Sequence, residues 1–420
     1  MIKRVIFDEL KDHLEKKEIT LITGPRQAGK TTVMLLLKKY LEAQDARTVF
    51  LNLDIEADKY HFDSQEKLLR KVELEIGKSN GYVFIDEIQR KENAGVFLKG
   101  LYDMGLPYKF IVSGSGSLEL KEKIHESLAG RKRLFELNPL SFEEFVNFKT
   151  DYRYDGNLQS FFIIEPEKTN QFLDEYLNFG GYPRVILEET LIEKRNIINE
   201  IFRSYLEKDI SYLLRVEKVD AFSKMINLLA DQIGNLINYS ELAGTLGLSM
   251  ATITNYLRYA EKTFIIKLLP PYFKNKRKEI VKSPVVYFCD LGLRNYAVGV
   301  FGTATQAASG AGFLFQNFIF HLLAKKIESR AAALRFWRSK DGAEVDFVIN
   351  EGKKVVPVEV KCKRLQAPSV KRSMRSFVEK YEPEEAWVIN LSLKQNIQIG
   401  STIVKFIPFY EVSSVDIELP

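Results

Sequence analysis

Gly24-Pro25-Arg26-Gln27-Ala28-Gly29-Lys30-Thr31 is the stretch that decides the fold. It follows the apolar run Ile19-Thr20-Leu21-Ile22-Thr23 and opens into TTVMLLLKKYLEAQ, a helix-like segment. The result is a complete G-x-x-x-x-G-K-T pattern in the strand, loop and helix context that it requires. Its glycines let the backbone wrap closely round a β-phosphate, while amide hydrogens and the following helix N-terminus supply positive potential. Lys30 is expected to neutralise β- and γ-phosphate charge, Thr31 to offer its hydroxyl to Mg²⁺, and Thr32 to complete the nucleotide-binding run.

Working outward, the run Tyr82-Val83-Phe84-Ile85-Asp86-Glu87 is an apolar strand that ends in two acids. A buried strand should carry no carboxylates, so the pair reads as chemistry beside the phosphate loop. Asp86 is expected in the Mg²⁺ shell, and Glu87 is expected to orient and polarise the attacking water. Between residues 19 and 145, short β-rich runs (ITLIT, TVFLNLD, YVFID, KFIVSGS, RLFELNPL) alternate with helix-like segments. That alternation predicts an α/β domain built on a mostly parallel sheet covered on both faces.

With these motifs in place, the chain resembles the AAA+ ATPases, in particular the prokaryotic branch that carries G-P-R-Q-x-G-K-T and an uncharacterised C-terminal region. The resemblance implies ATP and Mg²⁺ as ligands. It places the strand FIVSGSGS at the sensor-1 position, so that Ser113 or Ser115 contacts the γ-phosphate or the attacking water. It also implies an arginine finger at Arg131, with Arg133 the second choice, offered to a neighbour's γ-phosphate in a homo-oligomer. The competing reading of Arg131 is an internal salt bridge.

Composition bounds the rest. A chain of 420 residues with 45% hydrophobic and 28% charged residues excludes disorder and a single small domain. The net charge of +5 is small for this length, so any nucleic-acid surface must be a local patch. Cys289 and Cys362 lie far apart and form no C-x-x-C pair, which fits a reducing compartment. The four histidines lack H-E-x-x-H spacing. No secretion signal is visible, and the longest uncharged stretch is too rich in Gly, Ser, Thr and Gln for a membrane span. A cytoplasmic protein with no membrane partner is expected.

Four regions are expected: an AAA+ ATPase domain over 1–150, a helical connector over 151–215, a winged-helix domain over 216–292, and a nuclease-like α/β domain over 293–420. In the connector, Ile197, Ile201, Tyr205 and Leu206 share one helical face. Within YSELAGTLGLSMATITNYLRYAEKT, Ser240 and Ser249 are expected N-caps and Gly247 a helix end. Ser249, Thr252, Asn255 and Arg258 are available for DNA contacts. Lys274, Lys276, Arg277 and Lys278 concentrate charge in a wing that would lie along a phosphate backbone. A winged helix used for protein contacts is the competing reading.

Near the C-terminus, EVDFVINEGKKVVPVEVK reads as two strands joined at Glu351-Gly352, with Asp346 opposite Pro357 and diagonal to Glu359. Period-2 alternation keeps Asp346, Glu359 and Lys361 on one face. The pattern resembles the PD-(D/E)XK nuclease core, which implies a second Mg²⁺ site on Asp346 and Glu359 with Lys361 beside it. In that family a Glu often stands on the preceding helix, and here the position is Gln316. The combined expectation is Mg²⁺-dependent ATP hydrolysis by an oligomeric AAA+ ATPase, coupled to DNA binding or remodelling through the C-terminal domains. The alternatives are an ATP-gated regulatory or defence switch that binds a protein partner, and an ATP-controlled endonuclease.

Overall fold

The computed structural model describes residues 2–115, 127–206, 210, 218–273, 283–306, 310–328 and 330–415. The chain divides into two compact units. One comprises Met1–Tyr152, Gly181–Asp220 and Tyr256–Ile265; the other comprises Arg153–Gly180, Ala221–Asn255 and Ile266–Pro420.

The first unit is built on five parallel strands: β1 (Ile19–Gly24), β2 (Thr48–Asn52), β3 (Gly81–Asp86), β4 (Tyr108–Ser115) and β5 (Lys132–Glu136), in the order β2-β3-β4-β1-β5. β1 and β4 are buried along their whole length, as central strands covered on both faces must be. Alternate residues serve opposite layers. Ile22, Phe84 and Ile111 pack under the helix Lys30–Glu42 with its Val33, Met34, Leu37 and Leu41. Leu21, Val83, Ile85 and Val112 face a second layer containing Leu68 and Val72 of the helix Gln65–Ile76 and Leu98 and Leu101 of the helix Ala94–Asp103. Full burial of one such side chain, Phe84, stabilises the sheet by roughly 2–3 kcal/mol.

The segment expected as one connector is divided between the units, because its two parts bury different apolar faces. Tyr182, Ile197, Ile198, Ile201 and Tyr205 are buried in the first unit, where the Tyr182 and Tyr205 hydroxyls share a hydrogen bond of 2.8 Å. Leu173, Tyr176 and Leu177 of the helix Pro166–Phe179 are buried in the second.

In the second unit, a β-bridge joins Leu236 to Val285, and β6 (Ile266–Leu269) pairs antiparallel with β7 (Val285–Phe288). The helix Tyr239–Leu246 is capped by Asn238, whose side chain accepts from Glu241 N, so Ser240 lies inside the helix rather than at its cap. Asn238 is the residue with extended backbone, which frees its amide oxygen to turn back on the first helical turn. Gly247 ends that helix in the left-handed conformation, φ 61°. Ser249 Oγ accepts from Thr252 N at 3.0 Å at the start of the helix Met250–Lys262.

A mixed six-stranded sheet follows: β8 (Ala332–Arg338), β9 (Glu344–Glu351), β10 (Lys354–Val360), β11 (Glu385–Asn390), β12 (Gln395–Ile399) and β13 (Thr402–Pro408), in the order β12-β13-β11-β10-β9-β8. The β9–β10 register pairs Glu351 with Lys354, so the turn residues are Gly352 and Lys353, with Gly352 at φ 60°. The expected register is corrected by two residues. Pro357 faces Val348, and continuing the register sets Asp346 against Glu359. The glycine decides it, since the first turn position needs a positive φ that Glu351 would adopt only with strain.

Two histidines give the fold an acid-sensitive side. Burial lowers His13, which is 2% exposed, to a pKa of about 4, helped by the nearby Lys109 charge. Burial lowers His321 to about 4 as well, against the effect of its hydrogen bond to Phe288 O. A base with a depressed folded pKa contributes stability that is present above its unfolded pKa and lost as pH falls toward the folded value. The unfolding free energy, read from denaturant melts at a series of pH values, is therefore expected to fall between pH 6.5 and 4, by an amount on the order of 3 kcal/mol for His13. His13→Gln should flatten that slope in the first unit.

Candidate nucleotide site

The strand ends that carry the expected site residues lie side by side. β1 runs out at Gly24 opposite Ser115 of β4, and β3 ends at Asp86 opposite Asn52. Gly24 is obligatory, because a Cβ there would sit 2.1 Å from Leu137 O at a φ of 153°. The loop then turns through Gln27 at φ 58° and Gly29 at φ 98°, and the helix begins at Lys30.

Lys30 is only 6% exposed and folds back over the loop, donating from Nζ to Gly24 O at 3.1 Å and Pro25 O at 2.8 Å. Thr31 Oγ1 donates to Asp86 Oδ2 at 2.7 Å. The other Asp86 oxygen accepts from Ser113 Oγ and from Glu87 N, the latter at 3.1 Å. Thr31, Asp86 and Ser113 thus form one hydrogen-bonded set of oxygens across three elements. These are hard donors suited to Mg²⁺. The buried hydroxyls of Thr23 and Ser115 have no hydrogen-bond partner, which leaves polar atoms at this end of the sheet for a ligand.

Glu87 adopts the left-handed conformation, φ 58°, sparsely populated by non-glycine residues. Burial raises its carboxyl pKa, the Asp86 and Asp54 charges add to the rise, and Lys30 and Arg26 oppose it. Gln89 donates to Glu87 Oε2 and accepts from Ser115 N at 3.1 Å, so one amide ties the acid to the end of β4. Hydrolysis should accordingly decline on acidification with a midpoint above that of a free glutamate, which a pH profile of phosphate release would measure.

Sequence reasoning missed Gln89, although it lies two residues beyond Glu87. It also missed the contacts that the segment after Gly181 makes with the loop. Gln27 Oε1 accepts from Arg184 at 2.9 Å, Gln27 Nε2 donates to Glu200 at 3.3 Å, and Arg184 and Glu200 pair at 2.9 Å. The signal available was the Gly180-Gly181-Tyr182-Pro183-Arg184 stretch, in which Pro183 starts a helix.

Arg131 stands away from this set. It pairs with Asp103 through Nε at 2.7 Å and Nη2 at 3.3 Å, next to Ile19 at the N-terminal end of the sheet. Arg133 is exposed, with its guanidinium 5.2 Å from the Phe135 ring centre. Ser249, Asn255 and Arg258 are exposed and Thr252 is half-exposed. Lys274, Lys276, Arg277 and Lys278 lie outside the described residues.

In the second unit, Asp346 Oδ2 accepts from Val360 N at 2.7 Å, and Gln316 Nε2 reaches both Asp346 Oδ1 at 3.4 Å and Tyr287 Oη at 3.0 Å. Burial raises Asp346 to a pKa of about 6, opposed by the Val360 N–H and the Lys371 charge. Glu359 is 3% exposed, with neither oxygen hydrogen-bonded; Lys371 Nζ lies 3.4 Å and Lys361 Nζ 3.6 Å away. Among the described residues no group of three or more His, Cys, Asp or Glu could hold a metal ion.

The sheet order, the glycine loop and the Thr31–Asp86 contact define a P-loop AAA+ fold in the first unit. In agreement, residues 16–146 match the family model described as an AAA domain. Residues 170–304 match a domain of unknown function, DUF8612, and residues 311–412 match another, DUF4143. The chain is similar to an uncharacterized protein of Methanocaldococcus jannaschii, 26% identical over 98% of this chain and 91% of that one. It is also similar to one of Mycobacterium tuberculosis, 27% identical over 87% of this chain and 75% of that one. Among solved structures, the Aeropyrum pernix Orc1 protein in complex with DNA aligns with a TM-score of 0.33 and 13% identity, over 71% of this chain and 93% of that one. AMPPCP-bound DnaA from Aquifex aeolicus aligns with 0.30 and 14%, over 61% and 86%. Among the described residues no helix is long and apolar enough to cross a membrane.

Proposed function

We propose that the protein is a Mg²⁺-dependent ATPase of the AAA+ class that works as a homo-oligomer and engages DNA through its C-terminal half. The observation that carries the ATPase reading is the Thr31–Asp86 hydrogen bond of 2.7 Å, with the half-buried Glu87 carboxyl next in chain. The loop amides and Lys30 bind and orient the triphosphate. Thr31 and Asp86 hold Mg²⁺, which when bound neutralises phosphate charge. Glu87, fixed by Gln89, takes a proton from the water that attacks the γ-phosphorus, and the bond to the β–γ bridging oxygen breaks to leave ADP and phosphate. Ser113 steadies Asp86 and the Glu87 backbone, and Arg131 serves a neighbouring copy once released from Asp103.

The DNA reading is supported by the order helix Val219–Asp231, bridge Leu236, helix Tyr239–Leu246, helix Met250–Lys262, β6 and β7, which is the outline of a winged helix. Its exposed Ser249, Asn255 and Arg258 and half-exposed Thr252 suit phosphate or base-edge hydrogen bonds, and Lys274, Lys276, Arg277 and Lys278 supply the charge. The test is phosphate release with and without duplex and branched DNA. Stimulation by DNA supports the coupling, and rates indifferent to DNA point to a switch that answers a protein partner.

A second reading concerns Asp346 and Glu359. The buried carboxylate of Glu359, ion-paired with Lys371 and Lys361 but with neither oxygen hydrogen-bonded, favours it, since together with Asp346 it offers oxygen donors for Mg²⁺. Mg²⁺-dependent DNA cleavage lost in Asp346→Ala would support a nuclease under ATP control.

A further inference from the structure

Arg4 precedes the first helix, and nothing in the P-loop motif calls for it. Yet its side chain is 8% exposed and all three guanidinium nitrogens are used. Nη1 donates to Ala28 O, inside the phosphate loop, at 3.0 Å. Nη2 donates to Asn138 O at 2.6 Å, just past Leu137, whose carbonyl lies against Gly24. Nε donates to Glu144 Oε1 at 3.1 Å. Glu144 is itself fixed, accepting from Val5 N at 2.8 Å and from Ser141 N at 2.9 Å as the acid of a capping box. The anchor is therefore set by helix Phe142–Lys149, and the fork extends from it to the loop.

The peptide between Ala28 and Gly29 is planar and trans, so its carbonyl and its N–H point in opposite directions. A carbonyl drawn to Arg4 turns the Gly29 N–H to the side of the loop away from Arg4. Gly29 lacks a Cβ and sits at φ 98°, so its own conformational preference does little to fix that orientation. We infer that Arg4 is a positioning residue for nucleotide binding: it fixes the plane of the Ala28–Gly29 peptide and so aims the Gly29 amide at the phosphates. This rests on the reading of Gly24–Thr31 as a nucleotide site. Lysine cannot replace it, because a single ammonium cannot reach acceptors spread along the edges of a planar fork.

The test compares wild type, Arg4→Lys and Arg4→Ala by titration with a fluorescent ATP analogue and Mg²⁺, by steady-state hydrolysis, and by hydrogen exchange of the peptide spanning residues 24–31. Arg4→Lys keeps a charge for Glu144. It is expected to bind the analogue about tenfold more weakly or worse, to raise KM with kcat largely retained, and to exchange faster at residues 24–31. The unfolding midpoint of the nucleotide-free protein should move little. Wild-type affinity and wild-type exchange in Arg4→Lys would overturn the inference and reduce Arg4 to an anchor for Glu144. Failure of the wild type itself to bind nucleotide would instead refute the site reading, and the exchange comparison would still decide whether Arg4 holds the loop.

Discussion

Glu87→Gln is expected to lower ATP turnover by roughly 100-fold or more while the protein still binds ATP, since a positioned general base contributes about that much. The substitution preserves shape and the left-handed backbone position but removes the carboxylate proposed to accept the proton. Lys30, Thr31 and the loop amides, proposed to hold the triphosphate, are untouched. The raised pKa of Glu87, caused first by burial, suits the carboxylate to the proposed role of proton acceptor. Phosphate release under saturating ATP measures the loss, and filter binding measures the retained affinity. Turnover near the wild-type rate would move the base elsewhere.

Lys30→Ala is expected to abolish both binding and hydrolysis. Its ammonium is buried and donates to the carbonyls of Gly24 and Pro25, which places it over the loop proposed to bind the phosphates. Removing it leaves the triphosphate charge with the loop amides alone, and leaves those two carbonyls facing the bound anion. The fold should persist, because the helix Lys30–Glu42 is held by Val33, Met34, Leu37 and Leu41 rather than by its first residue. Nucleotide binding by calorimetry, with circular dichroism as the control for folding, checks both halves of the expectation.

The parts of this molecule that were legible in sequence are those whose signal is local. Gly24–Thr31 and Asp86-Glu87 stand out because a phosphate site would constrain consecutive residues, and the five parallel strands are visible as apolar runs of the right length. Contacts made across long separations left no such mark. Arg184 and Glu200 meet Gln27 from 157 and 173 residues away, and Arg4 meets Asn138 from 134. Gln89 is close in sequence, but its reach to Glu87 depends on the left-handed turn at that residue, which no propensity indicates. The register of β9 and β10 shows the same limit at short range. Glu351, Gly352 and Lys353 allow two turns, and only the positive φ of Gly352 at the first turn position brings Asp346 opposite Glu359. The split of the connector was hidden because both of its halves are equally amphipathic, and what differs is the surface each one covers.

The central claim is that Gly24–Thr31, Asp86 and Glu87 form a working ATP-hydrolysing site. The most direct measurement is to incubate the protein with ATP and Mg²⁺, pass it through gel filtration and identify the nucleotide it retains by chromatography. The expected result is ADP with the wild type, ATP with Glu87→Gln and no nucleotide with Lys30→Ala. Wild type that emerges without nucleotide, or ADP retained equally by the wild type and Glu87→Gln, would contradict it.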